Sequence, residues 1–219
     1  MFSDESMLAF DSLNEFADFY EGLKIRNKWK IKLGDMNHRG TFIYDKPYTK
    51  QLRDLFAKKK LFRRNVSIAE IVSWLDSYVI IDRVINKLSD ILSEAEYQEI
   101  KLYSEYRIRL SKNRRIDFIF EKGEKMLIAE FRLSDKFPNM TNIWQKKETE
   151  LIIYKELLGN YLNNYQIYVY AFIAMPEFSG EQALDKNQTY NNNNVDHFAR
   201  YIATYLFDKG ELFNENLAR

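Results

Sequence analysis

Two carboxylates stand inside the most strand-like part of the chain, RRIDFIFEKGEKMLIAEFR over residues 114–132. Asp117 lies among Ile116, Phe118, Ile119 and Phe120, and Glu130 follows Met126, Leu127, Ile128 and Ala129. A carboxylate within an apolar strand is unfavourable unless a positive group meets it. Side chains alternate along a strand, so Asp117 shares a face with Arg115 and Ile119, and Glu130 with Ile128 and Arg132. With the register that the intervening EKGEK turn is expected to set, both acids fall on one face, close enough to repel. A hard divalent cation bridging them would relieve that repulsion and keep waters available for chemistry. Arg132 adds a fixed positive charge on the face of Glu130. In the helix expected next, Lys147, Glu150 and Tyr154 fall at i, i+3 and i+7 and share one side. Leu151 and Leu158 adjoin that side and turn it towards the sheet. The same spacing also suits an ion pair of Glu150 with Lys146 or Lys147, and Tyr154 as ordinary core.

Composition narrows the chemistry. The chain has no cysteine and two histidines, His38 and His197. Disulfides, thiolate nucleophiles, zinc–thiolate sites and iron–sulfur clusters are therefore excluded. A bound metal would be held by oxygen, as Mg²⁺ or Mn²⁺ is. At 46% hydrophobic content the 219 residues can bury a substantial core, and 30% are charged. No apolar run approaches the roughly 20 residues that span a bilayer, so no membrane partner is expected. The opening MFSDESMLAF lacks the basic n-region of a signal peptide, and the expected location is cytoplasmic. The net charge of +1 does not mark a nucleic-acid binder, but local clusters do better. Lys58, Lys59, Lys60, Arg63 and Arg64 form one. Arg107, Arg109, Lys112, Arg114 and Arg115 form another, which borders the acidic strands. Such patches can hold phosphates without a basic average.

Periodicity supplies the elements that would position these groups. Met7, Phe10, Leu13, Ala17 and Tyr20 predict a helix over 6–22, with Gly22 as its stop. Strands are expected near 29–33 and 41–44, and a helix over 48–60. Ser67 and Glu70 form a capping-box pattern, from which helical character is expected to run, in one piece or two, to about Tyr103. Tyr106, Ile108 and Leu110 then alternate with arginines. Turns at 111–114 and 121–125 predict an antiparallel meander through 116–120 and 126–133. Thr141 or Asn142 is expected to cap a helix over 143–162. The apolar run YQIYVYAFIAM, residues 165–175, predicts a strand buried on both faces. A loop over 177–194 and a last helix carrying Val195, Phe198, Ile202 and Leu206 complete the chain. The reading is an α/β (α+β) fold: a mixed sheet in αβββαβ order flanked by helices over 81–219, preceded by a mostly helical extension or lobe over 1–80.

Asp117, then Glu130-Phe131-Arg132, then Glu150-Leu-Ile-Ile-Tyr154, resembles the PD-(D/E)xK nuclease superfamily, most of all its RecB-like branch with the pattern D…ExK…(Q/E)xxxY. The resemblance covers about residues 84–207, and the element order matches that family's restriction-endonuclease-like core. It implies a nuclease that hydrolyses phosphodiester bonds, with DNA favoured over RNA, in a setting such as defence or repair and either as a homodimer or within a larger complex. Asp117, Glu130 and the Phe131 carbonyl would bind catalytic Mg²⁺ (or Mn²⁺). Glu99 would be the further acid on the preceding helix, since it continues the face of Leu88, Leu92 and Ala95, with Glu96 and Glu105 as alternatives. Arg132 would take the place of the lysine that orients the attacking water. Glu150 and Tyr154, with Lys147 beside them, would shape the site and contact the nucleic-acid backbone. Arg107, Arg109, Lys112 and Arg114 would hold more of that backbone.

The chain departs from the family pattern at Arg132. Arginine stays protonated and cannot serve as a base, although it can stabilise charge. Lys136, Lys146 or Lys147 could supply a migrated lysine. No proline precedes Asp117, as one commonly does in this branch. These departures motivate two alternatives: a catalytically inactive nuclease-like subunit that binds nucleic acid or serves assembly, and a structural protein whose acids are satisfied by Arg132, Arg115 and nearby lysines.

Overall fold

The period-2 stretches form a single five-stranded sheet. In the computed structural model, which describes residues 8–27, 50, 54, 68–108, 114–133, 140–174 and 195–210, the strands are β1 (Leu8–Phe10), β2 (Lys101–Arg107), β3 (Arg115–Lys122), β4 (Lys125–Leu133) and β5 (Gln166–Ala174). Their spatial order is that of the sequence. The first four pair antiparallel, and β5 lies parallel to β4. The helices are α1 (Leu13–Asn27), α2 (Ile68–Ile91), α3 (Glu94–Gln98), α4 (Met140–Gly159) and α5 (Val195–Phe207). The fold is thus mixed α/β. A parallel pair cannot be joined by a tight turn, and α4 supplies the crossover between β4 and β5.

Alternation divides the core between the two faces of the sheet. Phe118 and Phe120 of β3, Leu127, Ala129 and Phe131 of β4, and Tyr170 and Phe172 of β5 pack with α1, α2 and α5. Ile119, Met126, Ile128, Ile167 and Ala171 face the other way, against Leu151, Tyr154 and Leu158 of α4. β5 is accordingly buried on both sides, as its unbroken apolar run predicts. Phe198 of α5 is central on the first face. Its ring lies 4.3 Å from Tyr170, 5.8 Å from Phe120, 5.8 Å from Phe172 and 6.1 Å from Phe131, centre to centre. At the hairpin end, Glu121 accepts hydrogen bonds from Tyr103 (2.6 Å) and Tyr165 (2.7 Å), which ties β2 and the approach to β5 onto β3.

Several boundaries differ from the sequence expectation. The helix expected over 6–22 starts only at Leu13, because Leu8–Phe10 pairs with β2 through Leu8–Ser104 and Phe10–Leu102. Leu8, Phe10, Leu13, Phe16 and Tyr20 share the core of the main sheet. Helical structure does not run to Tyr103. It comes in two pieces, as far as Ile91 and from Glu94, and ends at Gln98. Ser93 and Glu96 form a reciprocal capping box, with the Ser93 N–H donating to Glu96 Oε2 at 2.8 Å. β2 then begins at Lys101, where fully buried Ile100 and Leu102 are claimed by the sheet rather than by a helix. α4 starts at Met140, so Thr141 and Asn142 lie inside the helix rather than capping it. Gly123 takes the positive φ (+56°) that the tight Lys122–Lys125 connection needs and that a Cβ would disfavour. The expected strands at 29–33 and 41–44, the Ser67 cap, the basic cluster 58–64 and the loop 177–194 lie outside the described residues, as does the expected 48–60 helix apart from Lys50 and Asp54, which are helical. Among the described residues no helix is long and apolar enough to cross a membrane.

Phe198→Ala should destabilise the protein by about 3–5 kcal/mol, as large-to-small aromatic changes in a closed core do. Urea denaturation checks this. A loss under about 1 kcal/mol would show that α5 does not close the first face.

Candidate functional site

The β3–β4 ladder runs from Lys122–Lys125 to Phe118–Ala129 and stops there, whereas β4 stays paired with β5 as far as Leu133–Ala174. The next pair in that register would be Asp117 with Glu130. Their carboxylates take over backbone donors at this point. The Asp117 N–H donates to Glu130 Oε1 at 3.1 Å, and the Phe131 N–H donates to Asp117 Oδ2 at 2.8 Å. The two acids are therefore bound to each other's strands. β5 makes the arrangement stiff, because it holds Glu130 and Phe131 opposite Ala171 and Phe172.

Glu130 follows Met126 and Ile128 onto the face covered by α4, and it is 2% exposed. Leu151, Tyr154 and Leu158 anchor α4 there. Lys147 falls one turn before Leu151 on the same stripe. Its ammonium reaches Glu130 Oε2 at 2.7 Å and Glu150 Oε2 at 2.9 Å. One lysine thus bridges the buried acid of the sheet and a half-buried acid of the helix. Among the described residues no three acids or histidines gather as a metal cage, and Glu150 meets the acid pair through Lys147.

Charge is strongly frustrated here. Burial, then the neighbouring Asp117 charge, pushes the Glu130 carboxyl up to about 8, and Lys147 only partly offsets this. Burial also raises Asp117, against the pull of Lys147, the Phe131 N–H and Arg115. Burial alone would lower the Lys147 ammonium. Glu130 and Asp117 outweigh it and hold the group above the ordinary lysine range. The Tyr154 hydroxyl is pushed up to about 12, first by burial and then by Glu130. Removal from water dominates for both acids of the pair, as expected for like charges in a low-dielectric site.

Asp117, Glu130, Lys147, Glu150 and Tyr154 are brought together. The backbone of Phe131 joins them, while its ring stacks on Phe172 at 5.0 Å on the opposite face. Both readings of the helix therefore hold at once: Glu150 pairs with Lys147, Tyr154 is core, and both adjoin the acids. Arg132 is not part of the cluster. It is exposed and forms no ion pair among the described residues, because β4 has run past α4's anchoring stripe by that point. Glu99 is also not part of it. It pairs with Lys122 at 3.5 Å, five residues along β3 from Asp117, or about 16 Å. The early end of the helix at Gln98 removes it. Glu96 is spent on its capping box and on Lys209 at 2.9 Å. Glu105 is buried, has a positive φ of 59°, and pairs with Arg115 at 3.0 Å. Arg107 sits opposite Arg115 at the acidic end of the sheet, and Arg109, Lys112 and Lys136 lie outside the described residues.

A groove of about 700 Å³ opens beside the cluster, lined by Arg114, Asn142, Gln145, Lys146, Thr149, Glu150, Ile153 and Tyr154. Gln145 and Thr149 of its polar wall are absent from the sequence expectation, and Asn142 enters it only as a helix cap. The wall's only signal is helical spacing, which any exposed helix face shares. The fold and the site define a mixed α/β protein whose sheet carries an acid pair, one member buried and one partly buried, closed by a helix lysine. Comparison with protein-family models finds no match for the chain, and comparison with curated protein sequences finds none either.

Burial raises both carboxyls, so the folded Asp117–Glu130 pair keeps one proton, and one negative charge for Lys147, over the window in which unfolded carboxylates have lost theirs. The pair's contribution to stability is therefore fullest below about 4.5 and falls as pH rises towards about 8, by up to about 1.4 kcal/mol per pH unit for one proton. Thermal melts between pH 5 and pH 8 should differ between the natural chain and Glu130→Gln by most of this falling slope, because the opposing slope from buried His197 is common to both. An equal slope in that variant would contradict the assignment.

Proposed function

We propose that the chain is a metal-dependent nuclease with a restriction-endonuclease-like core, hydrolysing phosphodiester bonds of DNA in preference to RNA. The observation that carries this reading is the Asp117–Glu130 pair where β3 and β4 part, with Glu130 buried, Asp117 partly so, and the Lys147 ammonium 2.7 Å from Glu130. The order α2–α3, β2–β3–β4, α4, β5 supports it, because it agrees with the core expected from the D…E…E/QxxxY pattern.

The donor set suits Mg²⁺ or Mn²⁺. It is all oxygen, Glu130 is buried and Asp117 partly so, and Asp117 Oδ1 makes no hydrogen bond among the described residues. Asp117, Glu130 and the Phe131 carbonyl are the groups that would hold the ion. When bound, such an ion lowers the pKa of a water and neutralises charge that develops on the phosphate. Lys147, rather than Arg132, takes the role of the family lysine in this reading. Its ammonium, kept charged by the acids around it, supplies a donor and a positive charge beside the scissile phosphate. Arg114 and Lys146 in the adjacent groove give the flanking backbone phosphates cationic partners. Tyr154 fixes the α4 stripe on which Lys147 and Glu150 ride.

The test is cleavage of single- and double-stranded DNA and of RNA in Mn²⁺, Mg²⁺ or EDTA. Asp117→Ala and Glu130→Ala should abolish metal-dependent cleavage. Lys147→Met should lower kcat about 100-fold or more, as loss of a transition-state donor does, whereas Arg132→Met should cost less than about tenfold. Metal-dependent cleavage that survives in Asp117→Ala would refute the reading. Nucleic-acid binding without cleavage by the natural chain would favour a binding subunit instead.

A further inference from the structure

The cluster already contains a cation. Lys147 Nζ lies 2.7 Å from Glu130 Oε2, and Glu130 is the most buried acid of the described residues. The same nitrogen lies 2.9 Å from Glu150 Oε2, and Glu150 lines the open groove. The ammonium therefore has two anchors of different character, one inside the acid pair and one at the groove wall. The first is the carboxylate that the proposed metal would need.

We propose that Lys147 is a tethered competitor of the divalent cation: it neutralises Glu130 in the metal-free chain and is displaced onto Glu150 when metal binds. The inference rests on the metal-dependent reading and concerns the regulation of that same site. The displacement is short, because Glu150 is one turn along the same helix and is already in contact with Nζ. It leaves the ammonium at the groove that also holds Arg114 and Lys146, where a phosphodiester would meet all three positive charges. A buried carboxylate left without any cation is strongly disfavoured. Lys147 thus keeps the two acids in place before metal arrives and, for the same reason, weakens the metal's hold. The divalent ion has to replace an existing ion pair rather than fill an empty site.

The measurement is calorimetric titration of the full chain with MnCl₂ in the absence of nucleic acid. It compares the natural protein with Lys147→Met, Lys147→Gln, Lys146→Met and Glu150→Gln. Lys147→Met should bind Mn²⁺ about tenfold more tightly, and Lys147→Gln should move in the same direction and covers the case in which the methionine variant does not fold. Lys146→Met removes an equal charge from an exposed neighbour and should change affinity by less than about twofold. Glu150→Gln removes the resting place of the displaced ammonium and should weaken Mn²⁺ binding. That weakening should vanish when Glu150→Gln is combined with a Lys147 variant. Equal Mn²⁺ affinity in the natural chain and both Lys147 variants overturns the competition while leaving the metal site intact, as does an equal gain in Lys146→Met. Absence of Mn²⁺ binding in every variant removes the metal-dependent reading itself and the competition with it.

Discussion

The structure turns on one electrostatic constraint: Glu130 is removed from water directly beside Asp117, and a single lysine from another element stands against both. Two like charges in a low-dielectric environment cannot both ionise freely. The sheet accommodates them in three ways. Backbone N–H groups of Asp117 and Phe131 bind the carboxylates. A proton is retained above the ordinary carboxylate range. Lys147 supplies the positive charge. Replacing such a cluster with apolar residues would often be neutral or stabilising. At the point where two strands part, the cluster therefore costs the fold as much as it supports it.

The rest of the fold serves that arrangement. β5 keeps β4 straight beyond the end of the β3 ladder, so Glu130 and Phe131 stay fixed while Asp117 is freed from strand pairing. The apolar stripe of Leu151, Tyr154 and Leu158 sets the rotation of α4, and Lys147 is positioned by that packing rather than by any local preference. The opposite face is packed with aromatic rings around Phe131, Phe172 and Phe198. It holds the backbone of Phe131 still while its N–H serves Asp117. A site built on strands and a long helix in this way is more rigid than one carried on loops.

Much of this was legible in the chain. The acids announce themselves as charges within apolar strands, and the EKGEK turn with Gly123 sets the register that places them side by side. The spacing of Lys147, Glu150 and Tyr154 puts them on one helix face. Other features were not legible. Leu8–Phe10 has helical spacing with its neighbours, but three residues are too short for a period to decide, and pairing with β2 claims them. The helix expected to reach Tyr103 ends at Gln98, because burial of Ile100 and Leu102 against the sheet outweighs local propensity. That error misplaced Glu99, whose helical face disappears with the helix.

Binary patterning, turn residues and the absence of cysteine belong to the chain alone. They determined a mixed α/β protein, an antiparallel meander followed by a helix crossover, and two carboxylates on one face that call for a positive partner. These are local properties, because strand period, turn chemistry and the reluctance of a charge to leave water are decided within a few residues. Which positive group meets the acids was a question for tertiary structure. Arg132 shares a strand face with Glu130 and lies two residues away, yet it points to solvent beyond the reach of α4. Lys147, seventeen residues from Glu130 in sequence, makes the contact. The choice depends on how far α4 covers the sheet and at what rotation, and that is settled only when Leu151, Tyr154 and Leu158 find their places in the core.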